Sequence, residues 1–282
     1  MPALSQQVVL VTGCSTGIGR ALAVELAARG HQTFATARKL EAIADLREAG
    51  AQTLRLDVHD PPSIRAAFDE AVARAGRIDV VVNNAGINIY GPLVELPLES
   101  VAAVFATNVV GLVAVVQAAF PHMASRRSGR IVNVGSIVGV LPTPWAAPYC
   151  ASKSAVHMLS EVLRVEVAPF GIDVVEVQPG AVQSSIADTG SHGLERFGAE
   201  SSRYRAAHAG IVKRANASQI DPMPTGEFAR RFVEECLAVP APRVVRLGAR
   251  VEMLAALAEA DPTVRDATVA KMFDVDRLSE SA

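Results

Sequence analysis

The residues Thr12-Gly13-Cys14-Ser15-Thr16-Gly17-Ile18-Gly19 stand between an apolar run, Val8–Val11, and a segment of helical character, Gly17–Arg29. Glycine lets a backbone turn sharply and approach a bulky anion closely, and a helix start offers free N–H groups at the positive end of its dipole. A Gly-rich turn alone is a weak signal. Between a strand and a helix it is the arrangement that cradles the pyrophosphate of a dinucleotide. Gly13, Ser15, Thr16, Gly17, Ile18 and Gly19 are therefore the first candidate cofactor-binding residues.

The same alternation runs outward from this turn. Short β-branched runs at Val8–Val11, Thr33–Thr36, Thr53–Asp57, Val80–Asn83, Arg130–Asn133, Asp173–Gln178 and Arg243–Leu247 predict strands. Helical segments lie between and after them, at Gly17–Arg29, Glu41–Ala49, Pro62–Ala75, Leu98–Ser125, Tyr149–Ala168 and Gly226–Ala238. Strands this apolar are buried on both faces, as in a parallel sheet. The alternation implies right-handed crossovers and a Rossmann-like, doubly wound α/β sheet flanked by helices. A single domain over 1–282 is expected, with a core of about 6–250 and a helical extension of about 250–282, read as one amphipathic helix. Residues 180–225 show no strand period and follow a strand's carboxyl end, so they read as a substrate loop.

Half of the 282 residues are hydrophobic and 20% are charged, which excludes a disordered chain. A net charge of −2 provides no basic field for nucleic acid or an anionic membrane. Three cysteines without C-x-x-C spacing and six scattered histidines argue against a disulfide scaffold or a metal site, and fit a cytoplasmic protein. Met1–Gln7 lacks the basic region and cleavage site of a signal peptide. Val101–Phe120 is uncharged and long enough to span a bilayer. It contains Thr107, Asn108, Gly111 and Gln117 and sits within the strand–helix alternation, so a buried helix is expected and no membrane span.

Two further constellations carry chemistry. At the end of the second strand, Ala35-Thr36-Ala37-Arg38-Lys39 contains no acid to accept the ribose hydroxyls of NAD. Arg38, helped by Lys39, suits the 2′-phosphate of NADP(H), with NAD(H) as the weaker candidate. In Tyr149-Cys150-Ala151-Ser152-Lys153, positions i and i+4 share a helix face, which sets an ammonium beside a phenol. A cation about 4 Å away at an effective dielectric near 20 contributes about 4 kcal/mol. That predicts a phenol lowered by roughly three pKa units, near enough to neutrality for general acid–base work.

With these motifs go LDV at Leu56–Val58, NNAG at Asn83–Gly86, Asn108, NVGS at Asn133–Ser136 and PG at Pro179–Gly180. In this order, over about residues 6 to 250, they resemble the short-chain dehydrogenase/reductase family. The resemblance implies hydride transfer between nicotinamide C4 and a ketone or secondary alcohol. It implies Tyr149 as general acid/base, and Lys153 as the group that lowers its pKa and binds the nicotinamide ribose. Ser136 would hold the substrate oxygen, and Asn108 would anchor a water of a proton relay. Asp57 and Val58 would face the adenine, Asn84, Ala85 and Gly86 would line the cofactor, and Pro179, Gly180 and Val182 would close on the nicotinamide. The stretch Leu141–Val182 is similar to bacterial relatives of 1-acyldihydroxyacetone-phosphate reductase. The glycine turn and the ATAR of Ala35–Arg38 resemble the 17β-hydroxysteroid and retinol dehydrogenase branch. Both favour reduction of a fairly apolar small-molecule carbonyl.

Several alternatives stand beside this reading. A nucleotide-sugar epimerase of the extended relatives spaces its glycines as G-x-x-G-x-x-G, unlike Gly13, Gly17 and Gly19. A non-catalytic NADP sensor usually lacks the Tyr/Lys pair, and an NAD-preferring alcohol dehydrogenase would place an acid near the end of the second strand, where Thr33–Lys39 has none. Ser136 lies in G-S-I-V-G, not in the G-x-S-x-G of a serine hydrolase. The family pairs the helices at Leu98–Ser125 and Tyr149–Ala168 with their copies, so a homodimer or homotetramer is expected.

Overall fold

The structure is a computed structural model and describes residues 6–186 and 190–280. Seven strands form one parallel sheet: β1 Val8–Val11, β2 Gln32–Ala37, β3 Gln52–Arg55, β4 Val80–Asn83, β5 Gly129–Val134, β6 Ile172–Pro179 and β7 Val244–Leu247. Their order is β3-β2-β1-β4-β5-β6-β7. After β3 the chain crosses back over β1 and β2 to lay β4 on the free side of β1. Connections from β1 and β4 therefore leave in opposite directions, and a crevice opens at their carboxyl ends.

Each face of the sheet is covered by helices, as the strand sequences require. All four residues of β1 are buried. Val9 and Val11 meet Leu22 and Leu26 of α1 (Gly17–Ala28) and the phenylalanines Phe228 and Phe232. Val8 and Leu10, on the other face, meet Ile64 and Phe68 of α2 (Pro61–Ala75) and the helical Val115 and Ala119. Successive side chains of a strand point to opposite faces, so an all-apolar strand serves two cores. Helix α2 begins with Pro61 and Pro62, whose missing N–H groups cost nothing there, and stops at Gly76 in a left-handed conformation with φ 76°.

The long apolar helix runs from Leu98 to Ala124. It comprises α3 (Leu98–Phe105), a π-helical turn (Ala106–Val110) and α4 (Gly111–Ala124). By length and a mean hydropathy of 2.0 it could cross a bilayer. One of its faces packs on the sheet and on α2. Helix α5 (Ala147–Val167) follows.

The later chain departs from the sequence expectations. The helix expected at Glu41–Ala49 is a 3-10 helix, Leu40–Arg47, and β3 stops at Arg55 rather than Asp57. The segment between β6 and β7 holds α6 (His208–Asn216) and α7 (Thr225–Cys236) with short 3-10 turns. The C-terminal region is three helices rather than one: α8 (Val251–Glu259), α9 (Pro262–Met272) and α10 (Arg277–Glu280). Pro262 cannot continue α8, and the Asp261 carboxylate accepts the N–H groups of Thr263 and Val264, starting a new helix. A third buried cluster, including Tyr90, Trp145, Phe197, Ile211 and Phe273, ties these late helices to the loops above the sheet. Trp145 Nε1 donates to the Phe273 carbonyl at 2.9 Å, joining the start of α5 to the end of α9.

Candidate active site

A cavity of about 730 Å³ lies along the carboxyl ends of the strands. At its β1 end it is lined by Gly13, Ser15, Thr16, Gly17 and Ile18. Gly13 has φ 72°, and a Cβ there would come within 2.8 Å of the Ala85 Cα. A side chain on Gly19 would collide with Asn84 Nδ2 and the Gly13 carbonyl, so Gly19 supports the turn from beneath rather than lining the cavity. The N-cap Thr16 makes no side-chain cap, and no acid occupies the first turn of α1. The helix start therefore presents free donors to the cavity, and these residues fit a pyrophosphate.

Thr12 was not among the sequence candidates, yet it organises the crevice. Its hydroxyl accepts the N–H groups of both Asn84 and Ala85 at 3.0 Å, and its carbonyl accepts from Asn84 Nδ2 at 2.9 Å. These bonds fasten the glycine turn to the β4 loop, so that Asn84, Ala85 and Gly86 line the cavity. Arg38 lines it at the end of β2, as do Asp57 and Val58 just after β3. Lys39 is exposed and lies outside the lining, where its backbone caps the 3-10 helix. Pro179, Gly180 and Val182 line the far side.

Ser136, Tyr149 and Lys153 converge on the same cavity. Ser136 follows β5, while Tyr149 and Lys153 sit one turn apart on α5, whose first turn holds Pro148. Lys153 is buried, with Nζ donating to the Val134 carbonyl at 2.7 Å and standing 5.6 Å from the centre of the Tyr149 ring. Burial lowers the ammonium pKa to about 8. Burial also pushes the Tyr149 phenol above its ordinary value, against the pull of the Ser136 hydroxyl. The expected phenol near neutrality is therefore not found in this fold. Desolvation outweighs the Ser136 hydrogen bond and the Arg214 charge, which pull the other way.

Asn108 does not line the cavity; it is buried in the π-helical turn behind it. Its Oδ1 accepts from the Ile87 N–H at 2.8 Å, and its Nδ2 donates to the Ile87 carbonyl and to Ser152 Oγ, each at 2.9 Å. Asn108 thus clamps the β4 loop to the helix that carries Tyr149 and Lys153. The roof of the cavity holds Lys213 and Arg214, which fall within the substrate loop expected at 180–225, and Leu141, Met253 and Phe273, which the sequence reading did not single out. No local period marks these residues as neighbours, because they reach the crevice only when the late helices fold back over it.

The family model described as short chain dehydrogenase matches residues 7–194. The chain is 41% identical over 184 residues to an NADPH-dependent 1-acyldihydroxyacetone phosphate reductase of Schizosaccharomyces pombe, covering 64% of this chain and 62% of that protein. It is 41% identical over 194 residues to human 17-beta-hydroxysteroid dehydrogenase type 1, covering 64% and 58%. The match thus spans about six tenths of each relative's length. The fold superposes on a short-chain dehydrogenase of Streptomyces avermitilis with a TM-score of 0.77 at 30% identity, over 98% of this chain and 99% of that one.

Proposed function

The chain belongs to the short-chain dehydrogenase family, and from that premise we propose that it is an NADP(H)-dependent oxidoreductase acting on a fairly apolar ketone or secondary alcohol. The observation that carries this reading is the convergence of Ser136, Tyr149 and Lys153 on one cavity with the Gly13–Ile18 turn. Nicotinamide, when bound, supplies or accepts the hydride. The protein's share is to hold the carbonyl and deliver a proton to its oxygen. The Ser136 hydroxyl donates a hydrogen bond to that oxygen, and the Tyr149 phenol hands it the proton. Burial holds the phenol protonated, so it is available as the proton donor when the carbonyl is reduced. Lys153 holds the nicotinamide ribose. Asn108 keeps α5 and the β4 loop in register so that a water can link Lys153 to solvent.

NADP(H) rather than NAD(H) is the cofactor of this reading, because Arg38 faces the cavity at the end of β2 and that strand end carries no acid. The 1-acyldihydroxyacetone phosphate reductase, NADPH-dependent by name, supports the same choice. A homodimer or homotetramer also belongs to it. Met158, Val162 and Val165 form one exposed apolar stripe on α5, and Val110 of the π-helical turn is 64% exposed. The three unpaired cysteines suit a cytoplasmic setting. The test is a panel of steroid, acyl-chain and aromatic ketones with NADPH and NADH, followed by nicotinamide absorbance. Oxidation of NADPH by an apolar ketone is expected. Cofactor binding without turnover across the panel would instead indicate a sensor.

A further inference from the structure

Arg214 on α6 is 6% exposed and lines the cavity. Its guanidinium carbon stands 5.4 Å from the centre of the Tyr90 ring and 5.7 Å from that of Phe273. Its Nε donates to Thr143 Oγ1 at 3.1 Å. The rings and the threonine fix the plane of the guanidinium without neutralising it. Among the described residues no carboxylate pairs with it. Arg130 shows what a comparably buried arginine has elsewhere in this chain. It is 8% exposed, holds Asp173 at 3.0 Å and donates to the carbonyls of Cys236 and Ala238. A buried charge without its counter-ion is unfavourable, and native proteins seldom leave one so.

The surroundings of Arg214 sharpen the contrast. Among the described residues, Asp57 is the one carboxylate that lines the cavity, and it stands just after β3, beyond Arg38. The roof instead adds the cations Lys213 and Arg250 to Arg214, among apolar side chains such as Leu141, Met253, Val269 and Met272. The partners of Arg214, which are Thr143, Tyr90 and Phe273, belong neither to the glycine turn nor to the end of β2. Its counter-ion is therefore not the cofactor phosphate held at those places. Burial pushes the Tyr90 and Tyr149 hydroxyls up and the Arg214 charge pulls both down, so its field reaches the proton donor.

We propose that Arg214 is a substrate-specificity residue, and that the substrate is an apolar ketone bearing an oxyanion, a carboxylate or a phosphate monoester, whose anion pairs with this guanidinium. The inference rests on the oxidoreductase reading and narrows it. An apolar chain fills the roof while the free edge of the guanidinium donates charge-assisted hydrogen bonds to the anion, which orients the carbonyl toward Tyr149. On binding, the anion meets a cation that is already out of water, which offsets part of the cost of the anion's own desolvation.

The test compares a medium-chain oxo acid, its methyl ester and an oxo phosphate of equal chain length in wild type, Arg214→Met and Arg214→Lys. Wild type is expected to use an anion at least about tenfold better than the ester. Arg214→Met should lose about 10- to 100-fold in kcat/KM for the anion, mainly through KM. Its kcat/KM for the ester should fall clearly less than that for the anion, its NADPH affinity should stay within a few-fold of wild type, and Arg214→Lys should recover part of the loss. Preference for the acid or for the phosphate identifies the oxyanion. Use of neither the acid nor the phosphate above the ester, or an equal fall on anion and ester in Arg214→Met, would overturn the proposal. Calorimetry of the oxo acid on the NADP-loaded protein separates the two readings. Arg214-dependent binding without turnover would uphold the anion site while the oxidoreductase reading failed, and binding indifferent to Arg214 would overturn the site.

Discussion

The backbone N–H of Ser136 donates to Nε2 of His157 across 3.3 Å, joining the end of β5 to the helix that carries Tyr149 and Lys153. There is no room for a Cβ at Gly135 or Gly139, since either would collide with the imidazole. The ring is locked between two backbone segments, and Glu176 Oε1 lies 3.5 Å from the same Nε2. An Nε2 that accepts the Ser136 N–H is unprotonated. Burial, with the charge of Lys153 adding to it, lowers the His157 pKa to about 4.

That relationship makes stability depend on pH. The unfolded histidine takes up a proton near 6.5 and the folded one only near 4. Between these values the unfolded state binds more protons, so stability falls as pH falls through the window, by about 3 kcal/mol in all. His157→Gln removes the titration while keeping an acceptor for Ser136. Urea unfolding of both proteins from pH 7 to 4.5 should show a shallower loss in the variant. Parallel slopes would mean that His157 does not stay neutral in the fold.

Tyr149→Phe removes the proton donor and little else. Turnover should fall by about 10²–10⁴ with NADPH affinity nearly unchanged. Retained turnover in stopped-flow or steady-state assays would remove Tyr149 from the role proposed here.

Cofactor choice should rest on Arg38. One charge-assisted hydrogen bond to a 2′-phosphate contributes about 1.5–3 kcal/mol, a preference for NADP(H) of roughly 10- to 100-fold. Ala37 is buried at the end of β2 and Arg38 is exposed beside it. The double variant Ala37→Asp/Arg38→Ala should invert the preference, because a carboxylate accepts ribose hydroxyls and repels phosphate. The ratio of kcat/KM for the two cofactors, measured in both proteins, decides it.

Assembly should depend on the α5 stripe, where Met158 is 65% and Val165 is 73% exposed. A contiguous apolar face of this kind marks an association surface. Light scattering should report a dimer or tetramer for the wild type and a smaller species for Met158→Glu/Val165→Glu. A wild-type monomer at micromolar concentration would refute the pairing.

The residue order by itself determined the sheet, the glycine turn and the placement of Tyr149 and Lys153 one helical turn apart, because these depend on local chemistry. Two-sided apolar strands require helices on both faces, and positive φ at Gly13 and Gly17 permits the turn between β1 and α1. The tertiary structure decided what depends on burial and on distant chain. It set the sense of the Tyr149 shift, since the spacing of the pair encodes its proximity but not the water removed from around it. It set Asn108 behind the cavity, where its side chain clamps the β4 loop to α5. It brought Arg214 and Phe273 over residues more than fifty positions earlier in the chain, where a helix with no marked period of its own becomes the roof of the site. Side-chain pairing across such separations is a property of the closed core, and no short stretch of the chain carries it.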